Sequence, residues 1–296
     1  MAQTMDKHLR ELNRLYEQMK DAAKEDISSD ETGRLIHDLA LKAIWFLKNE
    51  CKLVPLKSLV PDKQYFSFAK SRAPGVVCRP ANSALFNLDP NLVSRQWQAW
   101  WKGKLKHSDL ARMSYTIALA PCLAMELFDR QNKKQPATYF ECLIGHIFAK
   151  AIGTTPHTKM TFEIEGRAVR MTMDFLFDMG SASRGIHLPV KMSTRERVVQ
   201  AWAHQRLLDA AYGLNSYRGI MILFSETKLD SKKLEVVEIC VPDQWLAYQV
   251  LLSKMDRIYY FDIPKVYEDL TKRYPKILPI KNFGEFFIEK EEVLNS

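Results

Sequence analysis

The sequence predicts a mixed α/β core, and three observations predict it. Residues 158–178 alternate apolar and polar on both sides of Glu165-Gly166 and read as a hairpin. A third apolar run, 186–192, follows the turn "GSASRG". Helical periodicity precedes and follows this group of strands. The chain therefore divides into a helical N-terminal region, 1–135, and an α/β core, 136–296.

In order, Met5, Leu9, Leu12, Tyr16, Met19 and Ala23 form one stripe of an amphipathic helix, which packs on its own domain or on a second subunit. Ser29 or Asp30 caps a second helix carrying Leu35, Ile36, Leu39, Ile44 and Leu47. Residues 54–94 are Pro-rich without period and read as loop with short elements. In "RQWQAWWKGKLKH" (95–107), Trp97, Trp100 and Trp101 alternate with basic residues, which suits either a core helix or stacking on nucleic-acid bases. Phe140, Leu143, Ile144, Ile147 and Phe148 share a helical face that Gly153 ends. After the three strands, Ser193-x-x-Glu196 is a capping-box pattern opening a helix to about Tyr212. Strands at 218–225 and 233–241, a helix at 242–255 and a short strand at 258–262 complete the core.

The 296 residues are 47% apolar, enough for one large core or two smaller ones. Lys and Arg outnumber Asp and Glu by 43 to 35, and the net charge of +8 favours a polyanionic partner, nucleic acid or an anionic membrane surface. Cys51, Cys78, Cys122, Cys142 and Cys240 are odd in number and never form C-x-x-C, which argues against a disulfide framework or zinc knuckle. The N-terminus is charged throughout, unlike a signal peptide, and the apolar stretch 113–128 is short and interrupted by Pro121. A soluble cytoplasmic protein without a membrane span is expected.

Three charged residues sit on otherwise apolar elements: Glu141 on its helix, Asp174 on the second hairpin arm and Lys191 on the third strand. The turn at 180–185 sets the last two side by side. Carboxylates are hard ligands suited to Mg²⁺, and a nearby lysine can orient water or stabilise charge on a phosphate. An ordinary salt bridge accounts for the same Asp174–Lys191 pair. Arg195-Glu196-Arg197 would fall in the first turn of the following helix, where arginines oppose the helix dipole. Arginine forks match guanine and a carboxylate accepts from cytosine, so the triplet could read adjacent G:C pairs; a solvated charged turn is the plainer alternative.

Residues 137–225 resemble the PD-(D/E)XK fold as used by Type II restriction endonucleases, in the branch that reads CC/GG-containing sites of the CCGG and CCNGG kinds. "YFECLIGHIF", "TMDFLFD" and "PVKMSTRER" carry the resemblance. It implies an α/β nuclease whose mixed central sheet is flanked by helices, with an added α-helical N-terminal part. It assigns catalysis to Asp174, Lys191 and Glu141, metal binding to Asp174 and Glu141, and recognition to Arg195, Glu196 and Arg197. It also implies Mg²⁺, double-stranded DNA as substrate, and a homodimer reading a short palindrome. The acid expected two positions before the lysine is Pro189 here. The helix carboxylate that replaces it in this branch falls at His204 or Gln205, and Gln205 is the expected substitute. A structure-directed repair or recombination nuclease of the same fold, or a DNA-binding protein without catalysis, are the alternatives.

Overall fold

The computed structural model describes residues 2–70, 77–129, 131, 133–180, 184–194 and 198–295. The first helix, α1 (Ala2–Glu25), buries Leu9, Leu12, Tyr16 and Met19 along one stripe; the Met5 side chain lies outside the described ones. Ser29 caps α2 (Asp30–Glu50) by accepting from the Thr32 amide at 3.1 Å, and the five apolar residues expected inward on α2 are buried. Both helices pack on α4 (His107–Phe128).

Part of the stretch 54–94, expected as loop with short elements, is more regular than that. Here the chain forms β1 (Cys51–Ser58), β2 (Tyr65–Lys70) and β3 (Ala81–Asn82). In β1 only Leu56 is buried, so no alternating pattern marks it in the sequence. Its strand conformation comes from pairing on both sides, antiparallel with β2 and parallel with β10 (Glu235–Glu238). Helix α3 (Pro90–Trp100) follows; Trp97 and Trp100 are core, while Trp101 is 43% exposed.

Helix α4 tolerates Pro121 because the carbonyl freed by the missing N–H, that of Ile117, accepts the Tyr139 hydroxyl of α5 at 2.9 Å. That bond ties α5 (Lys134–Ile152) to α4. Gly153 ends α5 in the left-handed conformation, φ 78°. Next come β4 (His157–Ile164) and β5 (Arg167–Phe177), whose turn residues Glu165 and Gly166 both have positive φ.

The main sheet runs β12-β11-β8-β6-β5-β4, with β7 also paired to β8. Its further members are β6 (Gly185–Leu188), β7 (Val190–Lys191), β8 (Tyr217–Leu223), β11 (Arg257–Tyr260) and β12 (Ile280–Asn282). Antiparallel β4-β5-β6 join a parallel group, so the sheet is mixed, and helices flank it. These helices include α6 (Val199–Tyr212), α7 (Pro242–Ala247, continuing as a π turn to Leu252), α8 (Lys265–Arg273) and α9 (Phe283–Asn295). The run 233–241 leaves this sheet: β9 (Thr227–Asp230) and β10 form a hairpin in a second, five-stranded sheet of order β3-β2-β1-β10-β9.

One apolar cluster takes side chains from α1, α2, α4 and α5 together with β5, β8, β11 and α9. The boundary expected at 135/136 falls at the start of α5, and residues on both sides of it share this core.

Candidate active site

Strand β5 pairs antiparallel with β6, Phe175 opposite Leu188, which brings Asp174 beside Pro189 and Val190. Asp174 Oδ2 accepts the Val190 amide at 2.8 Å. The Lys191 ammonium donates to Oδ1 at 3.0 Å and Oδ2 at 2.7 Å. The pair is half-buried, with side chains 23% and 27% exposed. Pro189 interrupts the strand without shifting it: His187 lies opposite Gly219, Val190 opposite Ile222, and the Pro189 carbonyl accepts the Ile222 amide at 2.8 Å.

Glu141 is the third member. It is half-buried on α5 and makes no hydrogen bond or ion pair among the described residues. Burial first, then the charge of Asp174, push its pKa from 4.5 up to about 7, with Lys191 acting the other way. The helix approaches the sheet closely because Gly145, one turn further on, has no side chain. A Cβ there would come within 2.4 Å of Ile27 Cδ1 and 2.7 Å of Phe175 Cζ.

The structure does not bring Gln205 to this trio by any hydrogen bond. Gln205 is 2% exposed, and its Oε1 lies 3.0 Å from His187 Nδ1. Its Nε2 donates to Asp209 Oδ1 and the Tyr217 carbonyl, both at 3.0 Å. With Oε1 accepting, His187 carries its proton on Nδ1, and burial lowers its pKa to about 4. His204 is half-buried on the same helix, its pKa lowered by burial and influenced by both Asp174 and Lys191. Its ring centroid is 6.3 Å from that of His187.

Arg195, Glu196 and Arg197 lie outside the described residues. Ser193 is not the N-cap of α6, which begins at Val199 with no side-chain cap. The amide next to Ser193 has another partner: buried Glu226 accepts the Thr194 amide at 2.9 Å and its hydroxyl at 2.7 Å, and also the Tyr260 hydroxyl at 3.0 Å. Sequence reading missed Glu226, since nothing local marks a partner so distant in the chain.

Glu141 and Lys191 line a cleft of about 680 Å³ that also takes in Arg79, Lys133, Ser193 and Lys228. Arg79 is held by Glu126 at 2.6 and 2.8 Å. Among the described residues no three His, Cys, Asp or Glu side chains are grouped to hold a metal by themselves. Two carboxylates, the charge of one raising the proton affinity of the other, fit a hard divalent cation that completes its shell with water and phosphate.

A mixed sheet flanked by helices, with a helical N-terminal part added, is a restriction-endonuclease-like α/β fold. No family model matches the chain and no curated protein matches its sequence. Among solved structures it is similar to the crystal structure of the Type IIP restriction endonuclease Kpn2I. The TM-score is 0.80 at 23% identity, over 96% of this chain and 97% of that one. Among the described residues no helix is long and apolar enough to cross a membrane.

Proposed function

We propose that the protein is a Type II restriction endonuclease, hydrolysing phosphodiester bonds of double-stranded DNA with Mg²⁺ at a short palindrome containing adjacent G:C pairs. The observation that carries this reading is the Asp174–Lys191 pair close to an unpartnered Glu141, with Lys191 and Glu141 lining one cleft. Asp174 and Glu141 are the residues to hold the cation, which when bound supplies Lewis acidity and charge compensation at the scissile phosphate. Lys191 orients the attacking water and stabilises negative charge on the phosphate. Asp174, fixed by the Val190 amide, holds that ammonium in place. The likeness to a Type IIP restriction endonuclease supports the same reading.

Arg195, Glu196 and Arg197 are assigned to base contacts on residue type and on following Met192 and Ser193, which line the cleft. Two copies related by a two-fold axis would read two half-sites.

Two observations favour a second reading, duplex binding without cleavage. Pro189 replaces an acid, and the Gln205 amide is taken up by His187, Asp209 and Tyr217, leaving two carboxylates. The test is digestion of unmethylated phage DNA with Mg²⁺. Discrete fragments sharing one short end sequence support the endonuclease; a smear points to a structure-directed nuclease. Intact DNA that is nevertheless bound points to the second reading.

A further inference from the structure

The cleft is also lined by the β9–β10 hairpin, through Thr227, Lys228, Leu229 and Ser231, and no catalytic role uses this hairpin. Its charges are arranged unequally. It holds three acids and three lysines. Asp230 Oδ1 accepts the amides of Lys232 and Lys233 at 2.9 and 3.2 Å, bracing the turn. Glu235 pairs with Lys57 at 2.7 Å. Glu238 pairs with Lys63 at 2.8 Å and accepts the Lys265 amide at 2.8 Å. Every acid is thus occupied from within the protein. Lys228, Lys232 and Lys233 are exposed, and no carboxylate of the described residues lies at ion-pair distance from them.

The hairpin is also firmly held. Strand β10 pairs in parallel with β1, Lys57 opposite Glu235 and Ser58 opposite Val236. Val236 is buried in a cluster with Leu56, Val60 and Tyr65. Lys63 further joins Glu238 to Asp262. Lys228 therefore projects from edge strand β9 into the cleft, and Lys232 and Lys233 project from the turn that follows it, which Asp230 braces. Hydroxyls of Ser193, Ser225, Thr227 and Ser231 line the intervening surface, a lining suited to phosphate oxygens.

We propose that the β9–β10 hairpin is a backbone-binding arm, with Lys228, Lys232 and Lys233 neutralising phosphates of the duplex in the cleft without reading its bases. The inference rests on the duplex-DNA reading above. It also gives the sheet of β1, β2 and β3 a role, as the support on which the arm is mounted through the β1–β10 pairing.

The test measures binding of a labelled random-sequence duplex in EDTA, by fluorescence anisotropy over a range of salt concentrations. The slope of log K against log salt becomes shallower by about 0.9 for each phosphate that the protein no longer neutralises. The triple variant Lys228→Ala, Lys232→Ala, Lys233→Ala should lower that slope by about 2 to 3, and Lys232→Ala alone by about 1. Lys272→Ala, an exposed lysine of α8, should leave the slope unchanged. Melting temperatures are recorded alongside, and the single variant decides if the triple one unfolds. An unchanged slope in folded variants overturns the arm while leaving the nuclease reading intact. A parent protein that fails to bind duplex at all overturns both.

Discussion

Lys191 donates to both carboxylate oxygens of Asp174, one of which also accepts the amide of Val190, the residue just before the lysine. Acid and base are thus locked to one another through side chain and main chain. Asp174→Ala and Lys191→Ala should each lower cleavage by at least about 10²-fold, as expected for loss of a group that acts at the developing charge. Duplex binding should persist. Gel-shift and cleavage assays run side by side on both variants check this, and loss of binding together with cutting would remove the catalytic assignment.

Glu141 gives the site a pH signature. Its pKa is about 7 in the folded protein against the ordinary 4.5. Between those values the unfolded chain has lost the proton and the folded chain keeps it, so stability falls as pH rises through that window and levels off above it. Glu141→Gln should therefore stabilise the protein at about pH 8, by on the order of 2 kcal/mol, and change little at about pH 4. Denaturant melts at the two values test it; equal effects at both would remove the unpartnered carboxylate from the explanation.

Gln205→Ala strands the His187 Nδ1–H and removes the donor to Asp209 and Tyr217. A loss of about 1–3 kcal/mol of stability is expected. Cleavage per folded molecule should then fall only modestly. A large fall in turnover with an unchanged melting temperature would return Gln205 to the catalytic role expected from the sequence.

Arg195→Ala and Arg197→Ala should each weaken binding to the cognate site by about 1–3 kcal/mol and relax discrimination at one base pair. Competition against single-substituted duplexes reads this directly. Unchanged site preference would reassign the triplet to the phosphate backbone or to solvent.

Gly145→Ala places a methyl group against Ile27 and Phe175, the latter next to Asp174 on β5. Overpacking of this kind destabilises by about 1–3 kcal/mol. Moving α5 also moves Glu141, so the variant should need more divalent cation for half-maximal cleavage, measured by titrating Mg²⁺. An unaltered requirement would mean that the helix position is not set at this glycine.

The elements that carry Glu141, Asp174 and Lys191 were legible because each is specified locally. The α5 face repeats at helical spacing, Glu165-Gly166 dictates the hairpin, and antiparallel pairing of β6 with β5 sets the next strand beside Asp174. What the sequence hid depends on distant partners. Strand β1 has almost no buried residue of its own and is held by its pairing with β2 on one side and the distant β10 on the other. Ser193 fits a capping box, yet the carboxylate that organises its neighbour Thr194 is Glu226. Gln205 looked like a substitute ligand by position, while its burial beside His187 gives its amide other partners.

The pairing of β1 with β10 also bears on how the molecule comes into being. Lys57 and Glu235 meet across 178 residues of chain. Contacts so remote in sequence form late, because the loop between them must first be closed. During synthesis Glu141, Asp174 and Lys191 emerge before the hairpin that completes the cleft, so catalytic groups precede the surface that would seat a duplex. A chain stopped before residue 227 would leave β1 without its parallel neighbour, an open strand edge of the kind that seeds aggregation. Ribosome-stalled or truncated chains are accordingly expected to be insoluble fragments, not free nucleases.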